Sequence, residues 1–469
     1  MKLDYKYENV TLEELQRPLS DFNKNTVVLS NETMEQRKNK LLHKMKERSI
    51  DTLIIYADRE HGSNFEYLTG FIPRFEEALL VISKNGETYL LLGNENLKMV
   101  NYSRITAEAI HVPHFSLPNQ PMENSMNFVE ILKTANIKQQ AKIGIVGWKL
   151  FTSSYDDNKQ LFDVPYYIVD SLKQIVGVSD NIVNCADLFI GEEGIRTVNN
   201  ADEISYYEYG ASLSSDCVLK AMDEIELGKT DMELASYLSV YGQPHNVTNI
   251  FATGERFTNA VLYPQNKKIQ LGDKFSITTG YKGGLTSRAG YIVADQKELS
   301  ENVNDYLEKV AKPYYTAVVA WLENIKIGLS GQDMYNCIQN VLPKEKFNWH
   351  LNPGHLVADE EWMSSPIYPE SKTLIRSGML FQVDIIPSVQ GYGGASAETG
   401  IALADDELRE KIKKDFPQLW ARFEKRREFI KNVLNINLHP EVLPLSNTVG
   451  YYRPFALAKD KALLYKNNG

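Results

Sequence analysis

"LGDKFSITTG", residues 271–280, and "SGMLFQVDII", residues 377–386, decide how this chain folds. Each sets a glycine six residues ahead of the residue that closes an apolar run, Gly272 before Thr278 and Gly378 before Asp384. The echo continues. "GGLTSRAGYIVA" at 283–294 is answered by "GGASAETGIALA" at 393–404, so that Gly283, Gly284, Gly290 and Ala294 match Gly393, Gly394, Gly400 and Ala404. In that frame Arg288 stands where Glu398 stands. Upstream, "EIELGKTDMELASYL" at 224–238 is answered by "NIKIGLSGQDMYNCI" at 324–338, with Gly228 matching Gly328. Matched blocks in the same order mark an internal duplication. They predict two halves of helix, helix, strand, strand, related by a pseudo-twofold axis, with a curved sheet between the helices.

Working outward, "GEEGIRTVNNADE" at 191–203 has glycines, asparagines and charge without periodicity, and reads as a boundary. Beyond it a helical segment runs from about 202 to 225, and Thr230 with Glu233 forms a capping box for a second helix. Before it, "IDTLIIYA" and "EALLVISKNGETYLLLGNEN" read as strands, the latter a hairpin turning at Asn85-Gly86. Thr33 and Gln36 fit a capping box, and Met34, Leu41, Leu42 and Met45 recur at helical spacing. Helix and strand alternate to about residue 190, the pattern of an α/β domain. The division expected is 1–32, a polar extension laid over the surface; 33–190; 200–405, the duplicated domain; and 406–469, a tail. In the tail "DFPQLWARFEKRREFIKNVL" reads as an amphipathic helix, and "GYYRPF" is expected over the mouth of a cleft.

A formal net charge of −10 over 469 residues excludes a general nucleic-acid binder, which needs basic clusters to neutralise phosphate. Cys185, Cys217 and Cys337 show no metal-ligand spacing and are expected to be free thiols. The N-terminus lacks the apolar core of a signal peptide, and no run approaches the ~18 apolar residues of a membrane span. A soluble, cytoplasmic protein is expected. "DREHGSNFEYLTGFIPRFEEALL" at 58–80 crowds charge between two strand-like runs, and charge belongs at strand ends and loops, where functional residues gather.

"NFEYLTGF" at 64, "NPGHLV" at 352, "SGMLFQVDIIP" at 377 and "GASAETGIAL" at 394, taken in order, resemble the motifs of the pita-bread family of aminopeptidase P, prolidase (Xaa-Pro dipeptidase) and creatinase. The resemblance covers about residues 33–405. It implies an α/β (α+β) chain, with a creatinase-like N-terminal domain followed by a pita-bread domain. The peptidases of that family hold two divalent ions with two Asp, one His and two further acidic residues. Here His355 matches the His, and Asp384 and Glu398 match the two acidic residues of the second half. The first half departs. Thr278 stands at one Asp, no carboxylate falls near "TSRAG", Leu262 stands where a His-Tyr pair is usual, and Trp362 stands where a His-Glu or His-Asp pair is usual.

Two buried carboxylates without a cation repel each other. Arg288, always charged and shaped to grip carboxylates, is therefore expected to replace the metals as counter-ion to Asp384 and Glu398. The expected catalytic set is His355, Asp384, Glu398 and Arg288, with His350 and Thr278 binding substrate. The resemblance to creatinase implies a homodimer in which the N-terminal domain reaches the partner's cleft. Arg59, His61 and Arg74 are expected there, oriented by Asp58, Glu76 and Glu77. The expected reaction is metal-independent hydrolysis of a C–N bond in a small zwitterionic molecule or dipeptide, with no cofactor. The alternatives are a true metal-dependent Xaa-Pro dipeptidase, one Mn or Zn ion at His355, Asp384 and Glu398, and a non-catalytic binding protein. No nucleic-acid or membrane partner is expected.

Overall fold

The computed structural model describes residues 1–2, 4–120, 122, 126–255, 260–261 and 263–466. Leu262 lies outside the described residues. The chain forms two units, one of residues 1–28 with 198–469, the other of residues 29–197.

The first unit opens with β1 (Val10–Glu14), which pairs antiparallel with the last strand, β16 (Lys461–Tyr465). The polar extension thus contributes a strand.

The unit of residues 29–197 holds a six-stranded sheet. Its strands are β2 (Thr52–Ala57), β3 (Ala78–Ser83), β4 (Thr88–Leu92), β5 (Glu108–His111), β6 (Ile143–Val146) and β7 (Ile182–Asn184). They lie in the order β5-β4-β3-β2-β6-β7. β2 and β3 are buried on both faces, which is why they read as continuous apolar runs. The turn between β3 and β4 falls at Asn85-Gly86, with Gly86 left-handed at φ 86°. The helix Asn31–Glu47 is capped by Ser30, whose hydroxyl accepts from the Thr33 amide. Thr33 therefore sits inside the first turn, and the box drawn from Thr33 to Gln36 is shifted by three residues.

The duplicated region builds two four-stranded sheets. One holds β8 (Ile250–Thr253), β9 (Lys274–Tyr281), β10 (Gly284–Tyr291) and β13 (Ser396–Glu398), in the order β13-β10-β9-β8. The other holds β11 (His355–Leu356), β12 (Leu380–Gln382), β14 (Gly400–Leu403) and β15 (Val442–Pro444), in that order. The repeat is visible in the hydrogen bonds. Gly228 donates to Ile269 and Gly328 to Ile375; Gly272 donates to Ile292 and Gly378 to Leu403. All four glycines are left-handed, with φ between 82° and 90°. Capping boxes recur too, Thr230 with Glu233 and Ser330 with Asp333. The first helix begins at Ala201 under an Asn200–Glu203 box.

The first sheet has two distinct faces, because successive residues of a strand point to opposite sides. Phe275 and Ile277 of β9 join Leu213, Cys217 and Val218 of the helix Ala201–Asp223 in one core cluster. Thr286 of β10 meets Ser214 of the same helix, hydroxyl to hydroxyl at 2.9 Å. This is the rear face. Thr278 and Ser287, which pair across β9 and β10, look the other way. The tail runs along the edge of β10 and joins the rear core: Phe455 bridges Tyr291, the Tyr452 hydroxyl donates to Ala289 O at 3.0 Å, and Ala456 belongs to the core cluster of the rear face. "GYYRPF" is buried throughout, packed into the body of its unit rather than laid over a cleft mouth. Cys185, Cys217 and Cys337 are free and buried. Among the described residues no helix is long and apolar enough to cross a membrane.

Candidate active site

The site begins with a tight turn. β9 and β10 are joined by Lys282 and Gly283, and Gly283 takes φ 98°, which a Cβ-bearing residue resists. A Cβ there would also strike Tyr207 O at 2.0 Å. That turn fixes the register, Thr278 opposite Ser287, and their hydroxyl oxygens are 2.9 Å apart. On its other side β10 pairs with β13, Ser287 opposite Glu398 and Arg288 opposite Ala397. Thr278, Ser287 and Glu398 therefore share the front face.

The second sheet supplies the rest. His355 of β11 pairs with Gln382 of β12, and Asp384 follows two residues on. The Gln382 amide donates to Leu285 O of the first sheet and, at 3.4 Å, to Glu398 Oε1. It stitches the two sheets together at the site. His355, Asp384 and Glu398 are all buried, and one ligand atom from each lies within 4.8 Å of the others.

The His355 Nδ1 lies 3.1 Å from Leu356 O, an acceptor only, so Nδ1 carries the proton. In the neutral ring Nε2 is then a bare lone pair. It faces Asp384 Oδ2 at 3.8 Å and Glu361 Oε1 at 3.0 Å. The Glu361 approach is off the line a hydrogen bond needs, and Nε2 and Asp384 Oδ1 are both buried without a hydrogen-bond partner. Trp362 stacks on the imidazole, centroids 4.2 Å apart at 22°, and is itself 37% exposed.

The electrostatics are those of an acidic cluster out of water. Burial, then the charges of Asp384 and Glu361, push Glu398 well above the carboxylate range. Burial also raises Asp384, partly opposed by His355. Burial pulls His355 down, but its carboxylate neighbours outweigh that and carry it above its ordinary value.

Arg288 does not pair with these carboxylates. Its side chain points to the rear, 1% exposed, where Nη1 donates to Ser287 O at 2.7 Å and Glu398 O at 3.0 Å, and Nη2 donates to Thr448 O at 2.9 Å. Burial lowers it to about 10, opposed by Tyr314 and Glu398. The expected counter-ion contact is thus replaced by a clamp on backbone carbonyls. The glycine-anchored frame that matched Arg288 to Glu398 fails by one residue, because the chain leaves one sheet for the other between β13 and β14, at Thr399. A one-residue slip turns a side chain to the opposite face.

Of the other expected residues, Thr278 is at the site, whereas His350 is exposed, five residues before His355. Arg59, His61 and Arg74 belong to the unit of residues 29–197. Arg59 and Arg74 are exposed. His61 stacks on Trp148 with centroids 4.6 Å apart, and its amide donates to Asp58 Oδ1 at 2.7 Å. Glu76 does not orient an arginine: it is buried and accepts from the Glu95 amide and the Asn96 side chain. Sequence reasoning missed Ser287, Gln382 and Glu361. The alternation of Gln382 with Asp384 in "LFQVD" was a usable signal, and so was the length of the turn for Ser287. Glu361 carried none.

Comparison with known proteins matches the Creatinase/Prolidase N-terminal domain family to residues 37–182 and Metallopeptidase family M24 to residues 206–408. The chain is 23% identical over 342 residues to the Xaa-Pro dipeptidase of Pyrococcus horikoshii, covering 69% of this chain and 89% of that protein. The crystal structure of the prolidase from Pyrococcus horikoshii OT3 superposes with a TM-score of 0.59 at 18% identity, over 79% of this chain and 95% of that one. The X-Pro aminopeptidase from Thermotoga maritima gives 0.58 at 17% identity, over 78% and 95%.

Proposed function

This chain belongs to the pita-bread family of aminopeptidase P, prolidase and creatinase, and from that premise we propose that it hydrolyses a C–N bond in a small zwitterionic substrate of the Xaa-Pro dipeptide kind, using one divalent ion. The observation that carries this reading is the pair of orphaned buried atoms, His355 Nε2 and Asp384 Oδ1, beside Glu398. An imidazole and two carboxylates converging in a buried site favour a cation there, and Arg288 faces away. One His and two carboxylates suit Mn or Zn. The first-half positions, Thr278 and Ser287, offer hydroxyls only, so a bridged pair of ions does not fit.

Such an ion would polarise the scissile carbonyl and make water a stronger nucleophile at neutral pH. The chain's own residues do the rest. Gln382 holds the Glu398 carboxylate, Leu356 O fixes the His355 tautomer, and Trp362 packs the imidazole in place. Glu361, the acid with the most access to water at 20% side-chain exposure, is suited to carry protons between site and solvent. The expected assembly is a homodimer, with the exposed Arg59 and Arg74 surface offered to the second copy.

The test is calorimetry of Mn binding to the chelator-treated protein, together with hydrolysis of an Xaa-Pro dipeptide. One ion per chain is expected, with hydrolysis lost on chelation, and His355→Ala should cut both by roughly 100-fold or more. Hydrolysis that survives chelation would favour the metal-independent reading instead, in which Glu361 holds a protonated His355.

A further inference from the structure

We propose that Ser239 and His245 form a second hydrolytic site, a serine nucleophile with its general base, which acts on esters of small carboxylic acids and is separate from His355, Asp384 and Glu398. The site is built on the rear of β9. Tyr281 joins Phe275 and Ile277 in the rear core cluster, whereas Thr278 looks to the front. His245 bridges Tyr281 in antiparallel register, and the two rings lie against each other with centroids 4.4 Å apart. The His245 Nδ1 is 3.2 Å from Gly280 O, an acceptor only, so Nδ1 carries the proton and Nε2 is left to accept. The Ser239 hydroxyl meets that Nε2 at 3.0 Å. Asn249 Nδ2 shares the nitrogen at 3.3 Å, while its Oδ1 accepts from the Thr279 hydroxyl at 2.7 Å. Burial lowers the His245 pKa, which keeps the ring neutral and able to take a proton.

Ser239 is exposed, yet the backbone on both sides of it is fixed. Leu238 O accepts from the Tyr281 hydroxyl at 2.9 Å, and the Val240 amide donates to the same hydroxyl oxygen at 3.3 Å. The chain then turns through Tyr241 and Gly242, both left-handed at φ 55° and 64°, and closes with the Gln243 amide on Val240 O. The amides of Tyr241 and Gly242 donate to no acceptor among the described residues, which leaves two N–H groups within three residues of Ser239 for a developing oxyanion. Gln243, Pro244 and Tyr281 also line a cavity of about 130 Å³, together with Tyr206, Tyr209 and Lys282. That is space for a group about the size of a benzene ring. In the reaction Ser239 Oγ attacks the ester carbonyl carbon, and its proton passes to His245 Nε2. The alcohol leaves with that proton. Water then attacks the acyl-serine, a proton returns by way of Nε2 to Oγ, and the carboxylic acid is released.

The experiment treats the full-length, metal-stripped protein with a fluorophosphonate probe and with p-nitrophenyl acetate, and locates the adducts by mass spectrometry. Working without metal separates this site from the one at His355. A phosphonyl adduct on Ser239 is expected, with a burst of about one p-nitrophenolate per chain. Ser239→Ala should abolish both, and His245→Asn should slow labelling by roughly 100-fold or more. Ser236→Ala, an exposed serine three residues away, should label as wild type. Thermal melts of each variant separate misfolding from loss of the nucleophile. Absence of an adduct on folded wild type, labelling that survives Ser239→Ala, or a folded His245→Asn that labels at the wild-type rate would each overturn the proposal.

Discussion

Arg288 shows how much one side chain's direction decides. Buried behind β10, it holds the carbonyls of Ser287, Glu398 and Thr448, so one guanidinium fastens two front-face residues and the tail. Its charge still reaches Glu398 through the strand, where it offsets part of the burial effect. Arg288→Met would take a donor from each of three buried carbonyls, of which Ser287 O keeps the Ser396 hydroxyl and Thr448 O keeps the Tyr451 amide, so that the loss falls chiefly on Glu398 O. We expect a loss of about 1–3 kcal/mol in urea unfolding, partly recovered by Arg288→Lys, whose single ammonium can serve fewer acceptors. A variant as stable as wild type would mean that the clamp contributes nothing. The sequence made Arg288 conspicuous as a site residue. What it lacked was the strand switch at Thr399 that sets which way Arg288 points.

At the scale of elements, the hairpin of β9 and β10 is where the chain departs from the two-ion pattern that the sequence resemblance implies. Its register brings Thr278 and Ser287 together on the front face. Replacing both with Asp is therefore expected to raise the Mn stoichiometry from one to two per chain, as read by calorimetry. The metal-free double variant should melt lower, because two more buried carboxylates would lack a cation. A stoichiometry that stays at one would mean that more than these two positions separates the site from a paired-ion centre. Glycine-marked turns and capping boxes were legible at this scale because local backbone chemistry dictates them, as at Gly272, Gly378 and Thr230. His355, Asp384 and Glu398 were legible as a set through their motifs. Glu361 and Gln382 were not, since their meaning depends on contacts between segments far apart in sequence.

For the whole molecule, the charged stretch between β2 and β3 forms a surface on the unit of residues 29–197, with Arg59 and Arg74 exposed and Phe75 exposed at a left-handed φ of 64°. A bulky residue held in that conformation costs of order 1–3 kcal/mol and tends to occur where a segment has a task. If the task is to meet a second copy, sedimentation velocity should give a dimer. Arg59→Ala with Arg74→Ala should then raise the substrate KM by roughly 10-fold while Mn binding holds. A monomer with unchanged KM would return these arginines to an ordinary solvated loop.

The pairing of β1 with β16 has a consequence for synthesis. As the chain leaves the ribosome, Val10 waits for Tyr465, whereas every strand of the intervening sheet from β2 to β7 is available long before. Domains fold as units, N-terminal first where their parts allow it. The unit of residues 29–197 can therefore complete itself during translation, while the unit of residues 1–28 and 198–469 closes only once β16 has been made. A message that ends before residue 461 would then release an intact unit of residues 29–197 joined to an unfinished neighbour.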